Sequence, residues 1–167
     1  MGPRKITPCL WFDTQAEEAA KLYVSIFPDS RIVRVERYPD AGTEVHGKPP
    51  GSVMVVVFSI GGQEFTALNG GPQFNFDEAV SFQVPCSNQE EIDHFWSRLT
   101  ADGGEEGPCG WLKDRFGLSW QVFPTRLHEM LSDQDPGKRN RVMEQMLKMK
   151  KLDIAPLERA FGQAPPR

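Results

Sequence analysis

The chain has 167 residues, 39% of them hydrophobic, and a formal net charge of −4. This composition predicts a single globular domain with a buried core and gives no general reason to expect nucleic-acid binding. The longest apolar run, residues 53–60, is too short to cross a bilayer, and residues 1–13 lack the apolar stretch of a secretion signal. Because Cys9, Cys86 and Cys109 cannot all pair within one chain, we expect a reduced, cytoplasmic protein.

The first half of the chain predicts one strand, a helix and three further strands. Thr14 and Glu17 have the capping-box form, and apolar residues at helical spacing follow from Ala19 to Ile26. The runs that predict strands are 6–12, 30–38, 52–60 and 63–69. The last two are separated by Gly61 and Gly62, which indicates a hairpin.

The second half repeats this order. Ser87 and Glu90 stand 73 residues after Thr14 and Glu17 and again have the capping-box form. Strands are predicted over 79–85, 109–114 and 118–123, with a short or irregular one near 103–108. The sequence therefore predicts an α+β fold made of two β-α-β-β-β modules, residues 5–69 and 79–124. Because neither module alone covers its own sheet well, we expect the two modules to pack edge to edge.

The remaining segments are two loops and a helical tail. The loop 70–78 carries Phe74 and Phe76, which could cover a cavity or a partner chain, or pack on a sheet edge. The tail 125–163 predicts helices over 127–131, 140–152 and 153–161. Its methionines suit core or dimer contacts. Its basic residues suit an anion-binding patch or a solvated helix face; they are Lys138, Arg139, Arg141, Lys148, Lys150 and Lys151.

Several chemistries are not predicted. The paired glycines give no GxGxxG turn for a nucleoside cofactor and no phosphate-binding loop. The predicted topology brings no histidine to any of the cysteines, so a Cys-His nucleophile is not expected. Glu64 and Asp114 flank hairpin ends, where we expect both carboxylates to be exposed.

Five segments together resemble the PhnB-like branch of the vicinal oxygen chelate superfamily, which includes glyoxalase I, the extradiol dioxygenases and the bleomycin-resistance proteins. They are residues 5–13 (KITPCLWFD), 17–30, 65–72, 81–86 and 110–124 (GWLKDRFGLSWQVFP). The branch often carries a demethylubiquinone methyltransferase label. The resemblance implies that each sheet curls to form half of a cup, and that the protein is a homodimer.

The resemblance also bears on metal binding. Metal-dependent members of the superfamily take four ligands, usually His, Gln or Glu, from the first and last strands of the modules. The corresponding positions here fall among Ile6, Thr7 and Pro8, near Asn69, on Ala79 and on Gln121. Ala79 cannot ligate a metal, and neutral amides bind transition metals weakly. We therefore expect no metal site and no cofactor.

By strand alternation, Gln121 faces the implied cup, where an amide can both donate and accept hydrogen bonds to a small ligand. The expected ligand-binding residues are Trp11, Phe65, Asn69, Ser81, Gln83, Trp111 and Gln121. In the alternative reading, the three amides satisfy backbone groups or one another. The leading hypothesis is a metal-free small-molecule-binding protein. The alternatives are a metal-dependent lyase, dioxygenase or isomerase, and a methyltransferase as the branch's label states.

Overall fold

A computed structural model describes residues 6–162. The chain divides into two compact units, Met1–Asn75 and Phe76–Arg167, and each unit contains one four-stranded mixed sheet. The boundary lies in the loop that joins the two predicted modules. The α+β class predicted from the sequence is confirmed. In the part of the chain that the structure describes, no helix is long and apolar enough to span a membrane.

Between residues 6 and 75, the first unit contains four strands, one long helix and one short helix. They are β1 (Cys9–Phe12), α1 (Ala16–Ile26), β2 (Arg31–Arg37), α2 (Thr43–His46), β3 (Val53–Ile60) and β4 (Gln63–Asn69). The strands are arranged in the order β1-β4-β3-β2. β1 runs parallel to β4, and the other neighbours are antiparallel.

Helix α1 covers one face of this sheet. Its buried residues include three alanines, which let the helix backbone approach the strands closely. Tyr23 packs against Phe58 of β3 with ring centroids 5.9 Å apart, and Phe58 stacks on Phe65 of β4 at 5.4 Å. The predicted cap at Thr14 is wrong, because the helix begins at Ala16 and neither Thr14 nor Gln15 caps it with a side chain. The first free N–H of α1 is satisfied by Asn69 instead.

The second unit repeats the arrangement of the first and adds a helical tail. Its elements are β5 (Ser81–Cys86), α3 (Gln89–Leu99), a short 3₁₀ turn (Ala101–Gly103), β6 (Glu105–Glu106), β7 (Trp111–Lys113), β8 (Ser119–Pro124), α4 (Leu127–Ser132), α5 (Pro136–Met146) and α6 (Ile154–Gly162). The strand order β5-β8-β7-β6 matches that of the first sheet position by position. The strand expected to be short or irregular, β6, has two residues.

Two local predictions for this unit are corrected. The cap of α3 lies one residue beyond the predicted box, since Asn88 Oδ1 accepts from the Glu91 N–H at 2.9 Å and Glu91 accepts from the Ser87 N–H at 2.7 Å. Asp114, expected to be exposed, is 2% exposed and accepts three hydrogen bonds. Its oxygens close the turn between β7 and β8.

The tail packs on the end of β8 through a cluster of buried side chains. The cluster consists of Phe123, Leu127, Met130, Val142, Leu152, Leu157 and Ala160. Met146 and Met149 are partly buried against it, so these tail methionines contact the core of their own unit. Helix α5 begins four residues before the predicted start at 140, because Asp135 caps it by accepting from the Gly137 N–H and Pro136 suits the first helical position.

Candidate functional site

The second sheet has one face covered by α3 and one face free of it. Phe82 of β5 and Trp120 of β8 lie on the covered face, with ring centroids 5.6 Å apart. Strand alternation places the preceding and following residues on the opposite, open face. The parallel register there pairs Ser81 with Ser119 and Gln83 with Gln121. Three of the residues expected to bind a ligand therefore share one face of one sheet.

The side chain of Gln121 is held by a single hydrogen bond. Its Nε2 donates to Ser81 Oγ at 2.8 Å, and within residues 6–162 its Oε1 accepts none. Trp111 of β7 lies opposite Gln121 in the antiparallel register. Ser81 thus orients the amide and leaves the carbonyl oxygen and the second amide hydrogen available to a ligand.

A cavity of about 200 Å³ opens on this face beside Gln121. Gln83 and Gln121 are its polar groups from the sheet, and Trp111 forms part of the same wall. The rest of the lining is largely apolar and comes from the end of β8 and from the tail, and it includes Phe123, Leu127, Leu131 and Met146. The tail helices therefore turn the open sheet face into a pocket.

Two further groups line this cavity, Cys109 and His128. Sequence reasoning missed both, because they come from a turn before β7 and from α4, which the strand pattern does not connect. The predicted topology does not indicate that a cysteine and a histidine line the same cavity. Only the packing of the tail on the sheet brings the thiol and the imidazole to one cavity.

Trp111 also lines a second cavity of about 360 Å³ toward the sheet edge. Glu78, Glu105, Glu106 and Lys113 are its charged groups. Lys113 Nζ lies 2.7 Å from Glu78 Oε1. The hydrogen bond from Lys113 lowers the pKa of Glu78, and the same bond raises the pKa of Lys113. The lining of this second cavity carries three carboxylates and one ammonium group, whereas the lining of the first contains no Asp, Glu, Lys or Arg.

Asn69 and Phe65 do not belong to an open face, which corrects the prediction for both. Asn69 is 6% exposed; its Oδ1 accepts from the Ala16 N–H at 2.8 Å and its Nδ2 donates to the Val53 carbonyl oxygen at 3.0 Å. Phe65 is buried in the stack with Phe58. In β4 the residues at 65, 67 and 69 face α1, so the open face carries Thr66 and Leu68. For Asn69 the alternative reading, an amide satisfying backbone groups, describes the structure.

Trp11 lies opposite Leu68 in the register, on the face of the first sheet away from α1. Its indole N–H donates to the Gly71 carbonyl oxygen at 2.8 Å, and Phe74 packs edge-on against it at 5.0 Å. A Cβ on Gly70 would come within 2.2 Å of the indole, so glycine is required there. The linking loop therefore packs on Trp11 through Phe74, one of the two phenylalanines of the loop.

The donor set does not fit the metal ion of the superfamily's metal-dependent members. Ala79 offers only a methyl group, and both polar atoms of the Asn69 side chain are engaged by backbone groups. Among the described side chains, no three of His, Cys, Asp or Glu converge as a metal site. Gln121 is left as a single neutral donor, which is a weak ligand for a transition metal.

Comparisons with known proteins agree with this architecture. The family model described as 3-demethylubiquinone-9 3-methyltransferase matches residues 4–123. A solved PhnB protein from Bacillus cereus is 34% identical, covers 72% of this chain and 99% of its own, and superposes with a TM-score of 0.62. No curated protein matches.

More distant structures show the fold alone. A protein from Pseudomonas aeruginosa is 18% identical over 73% of this chain and 98% of its own, with a TM-score of 0.59. The fosfomycin resistance protein FosX from Listeria monocytogenes is 18% identical over 80% of this chain and 100% of its own, with a TM-score of 0.52. The resemblance inferred from the sequence is confirmed: the chain belongs to the PhnB-like family, described as 3-demethylubiquinone-9 3-methyltransferase, within the glyoxalase and bleomycin-resistance superfamily.

Proposed function

We propose that the protein binds a small, partly apolar molecule, without a metal ion, in the cavity on the open face of its second sheet. The observation that carries the proposal is the amide of Gln121, fixed by Ser81 at 2.8 Å beside a cavity of about 200 Å³ with apolar walls. Such a combination of apolar lining and a few convergent polar groups is typical of small-molecule sites.

Each part of the lining has a distinct role in this proposal. The apolar side chains supply burial free energy, at about 25 cal/mol per Å² of apolar surface removed from water. Trp111 offers a ring for stacking. Gln121 and Gln83 supply directed hydrogen bonds to a carbonyl or hydroxyl group of the ligand, with Ser81 as the group that positions Gln121. Trp11 is a separate candidate contact on the first sheet.

A ligand screen by thermal unfolding tests the proposal. A ligand at 100 times its Kd should stabilise the protein by roughly 2.7 kcal/mol. Gln121→Ala should weaken binding about tenfold, because it removes one oriented hydrogen-bonding group at a cost of about 1.4 kcal/mol. Gln134→Ala is the matched control, since that exposed glutamine lies outside the cavity. An unchanged Kd in Gln121→Ala would show that the cavity is not the binding site.

The family description supplies the alternative, a methyltransferase. Calorimetric titration with a nucleoside methyl donor separates the two proposals, because measurable binding would support the methyltransferase.

Metal-dependent lyase, dioxygenase or isomerase chemistry is tested by elemental analysis of protein purified without chelators. About one equivalent of iron, manganese, nickel or zinc per chain would contradict the metal-free proposal.

We also propose that the protein is a homodimer in the cytoplasm. The three cysteines are free thiols, as is usual in a reducing compartment. Met143 near the end of α5 and Leu147, the residue that follows the helix, are 40% and 63% exposed, which suits an intermolecular contact. Sedimentation should give a dimer, and Leu147→Lys should shift it toward monomer. A monomeric wild-type protein would contradict this proposal.

A further inference from the structure

The three thiols of the chain lie in different surroundings. Cys86 is fully buried, and desolvation, with a smaller contribution from Glu91, raises its pKa to about 12. Cys9 is exposed on β1 and lies outside the cavity; partial desolvation raises its pKa. Cys109 is partly exposed and lines the cavity beside Gln121. A molecule bound in the cavity therefore meets one thiol of the described chain, that of Cys109.

Cys109 is held in place by the tail. Its backbone N–H donates to the Met149 carbonyl oxygen at 2.8 Å, and its S–H donates to the Met146 carbonyl oxygen at 3.6 Å. The next N–H, of Gly110, donates to the Lys150 carbonyl oxygen at 2.8 Å. These bonds fix the turn that carries the sulfur against the chain that leaves α5, so the thiol has a defined position in the cavity wall.

His128 provides a proton acceptor on the same cavity. Its ring lies edge-on to Phe123 at 5.2 Å, and within residues 6–162 its nitrogens make no hydrogen bond. An imidazole nitrogen without a hydrogen-bond partner can accept a proton from a neighbouring group. A thiol, an imidazole and two amides thus line one cavity of about 200 Å³, and they can act as nucleophile, proton acceptor and hydrogen-bond donors toward a carbonyl compound.

We propose that this cavity is a reaction site for small α,β-unsaturated carbonyl compounds, with Cys109 as the nucleophile and His128 as the proton acceptor. This inference rests on the proposed function, since it deepens the same site. The S–H breaks its hydrogen bond to the Met146 carbonyl oxygen and gives its proton to the imidazole, and Sγ forms a C–S bond to the β-carbon. The π electron pair moves to the carbonyl oxygen, where an amide N–H of Gln83 or Gln121 donates to the enolate. The imidazolium then returns the proton to the α-carbon, and no oxidant is needed.

The test measures alkylation rates at single cysteines by peptide mass spectrometry on the full chain, with N-ethylmaleimide as the conjugated carbonyl probe. In the wild type, Cys109 should react at least about tenfold faster than Cys9, although Cys9 is the more exposed, because a base on the same cavity can take the thiol proton as the C–S bond forms. Cys109→Ser should abolish the fast adduct. A rate at Cys109 equal to or below that at Cys9 would overturn the inference.

Two histidine variants separate chemistry from structure. His128→Ala should slow alkylation of Cys109 about tenfold and leave Cys9 unchanged, and free imidazole should restore the lost rate. His94→Ala is the matched control, because His94 lies on α3 outside the cavity and its loss should change neither rate. Equal effects of the two variants, or no rescue by imidazole, would overturn the role of His128.

Failure of this inference is distinguishable from failure of the proposed function. The alkylation experiment depends on the thiol and the imidazole, whereas the Gln121→Ala experiment depends on reversible binding. A slow Cys109 together with weakened ligand binding in Gln121→Ala would overturn the covalent step alone. A fast Cys109 with unchanged ligand affinity in Gln121→Ala would overturn the proposed binding site and leave the reactive thiol.

Discussion

Asp114 shows how a single side chain determines which face of β8 is open. Its Oδ1 accepts from the backbone N–H groups of Phe116 at 2.9 Å and Leu118 at 3.1 Å, and its Oδ2 accepts from the indole of Trp120 at 2.9 Å. The bond to Trp120 holds that ring on the face that α3 covers. Because side chains alternate along a strand, the neighbouring Gln121 is then directed to the cavity.

Asp114→Asn should therefore destabilise the fold. In the wild type, the two carboxylate oxygens accept from the N–H groups of Phe116, Leu118 and Trp120. The amide of asparagine replaces one of these oxygens by an NH₂ group, which cannot accept, so at least one buried N–H loses its partner. We expect a loss of about 1 to 3 kcal/mol in the free energy of unfolding. Urea unfolding measures it, with Asp102→Asn as control, since the Asp102 side chain is 77% exposed. Equal losses of unfolding free energy in both variants would show that the buried hydrogen bonds of Asp114 do not stabilise the fold more than an exposed carboxylate does.

The amides at 69 and 121 show where sequence reasoning reaches its limit at the residue scale. β4 has apolar or small residues on both faces, with Phe65 and Ala67 on one and Thr66 and Leu68 on the other. Alternation alone cannot decide which face the helix covers. In β8 the lone polar Gln121 between Trp120 and Val122 indicates an open face directly. The sequence therefore predicts Gln121 on the open face and misplaces Asn69.

At the scale of elements, one glutamine attaches the tail to α3. Gln89 Nε2 donates to the Leu152 carbonyl oxygen at 3.2 Å, and its Oε1 accepts from the Ile154 N–H at 2.9 Å. Lys151 Nζ adds an ion pair to Asp93 on the same helix at 2.5 Å. The segment that joins α5 to α6 is thereby bound along α3, which helps to position the tail over the cavity.

Gln89→Ala should weaken this attachment. Two backbone groups of the tail lose their partner, and we expect a loss of about 1 to 2 kcal/mol in the free energy of unfolding. Hydrogen exchange should accelerate at Ile154, whose N–H loses its acceptor. Glu90→Ala is the matched control on the next residue, since Glu90 is exposed and makes no hydrogen bond within the described part of the chain. Unchanged protection at Ile154 would contradict the role of Gln89.

Most elements are predictable from the sequence, but their docking is not. The duplicated order of strands and helices follows from hydrophobic periodicity and turn residues, which are local signals. The placement of His128 and Cys109 on one cavity depends on the tail cluster and on hydrogen bonds such as that between Cys109 and Met149. Such contacts between distant residues leave no periodic pattern, so the reactive side of the cavity could not be predicted.

At the scale of the whole molecule, charge pairing on each unit makes stability depend on pH. In the first unit, the hydrogen bond from Lys21 at 2.7 Å lowers the pKa of Glu17 below its ordinary 4.5. In the second unit, the hydrogen bonds from Lys151 and Gln89 lower the pKa of Asp93 below its ordinary 3.8. A carboxyl group whose pKa is lower in the folded state stabilises the fold above its unfolded pKa, and this stability is lost as the pH falls through the folded pKa.

The double variant Lys21→Met, Lys151→Met isolates this dependence. Its unfolding temperature should be below that of the wild type at pH 7, and the difference should shrink as the pH falls below about 5 and through the lowered pKa values of the two carboxyls. The effect is small, at most about 1 kcal/mol for each pair, because the pairs are exposed and screened by salt. Lys148→Met is the control, since Lys148 forms no ion pair with any residue from 6 to 162. A difference that stays constant between pH 7 and pH 3 would mean that the lysines act through their aliphatic stems and not through their charge.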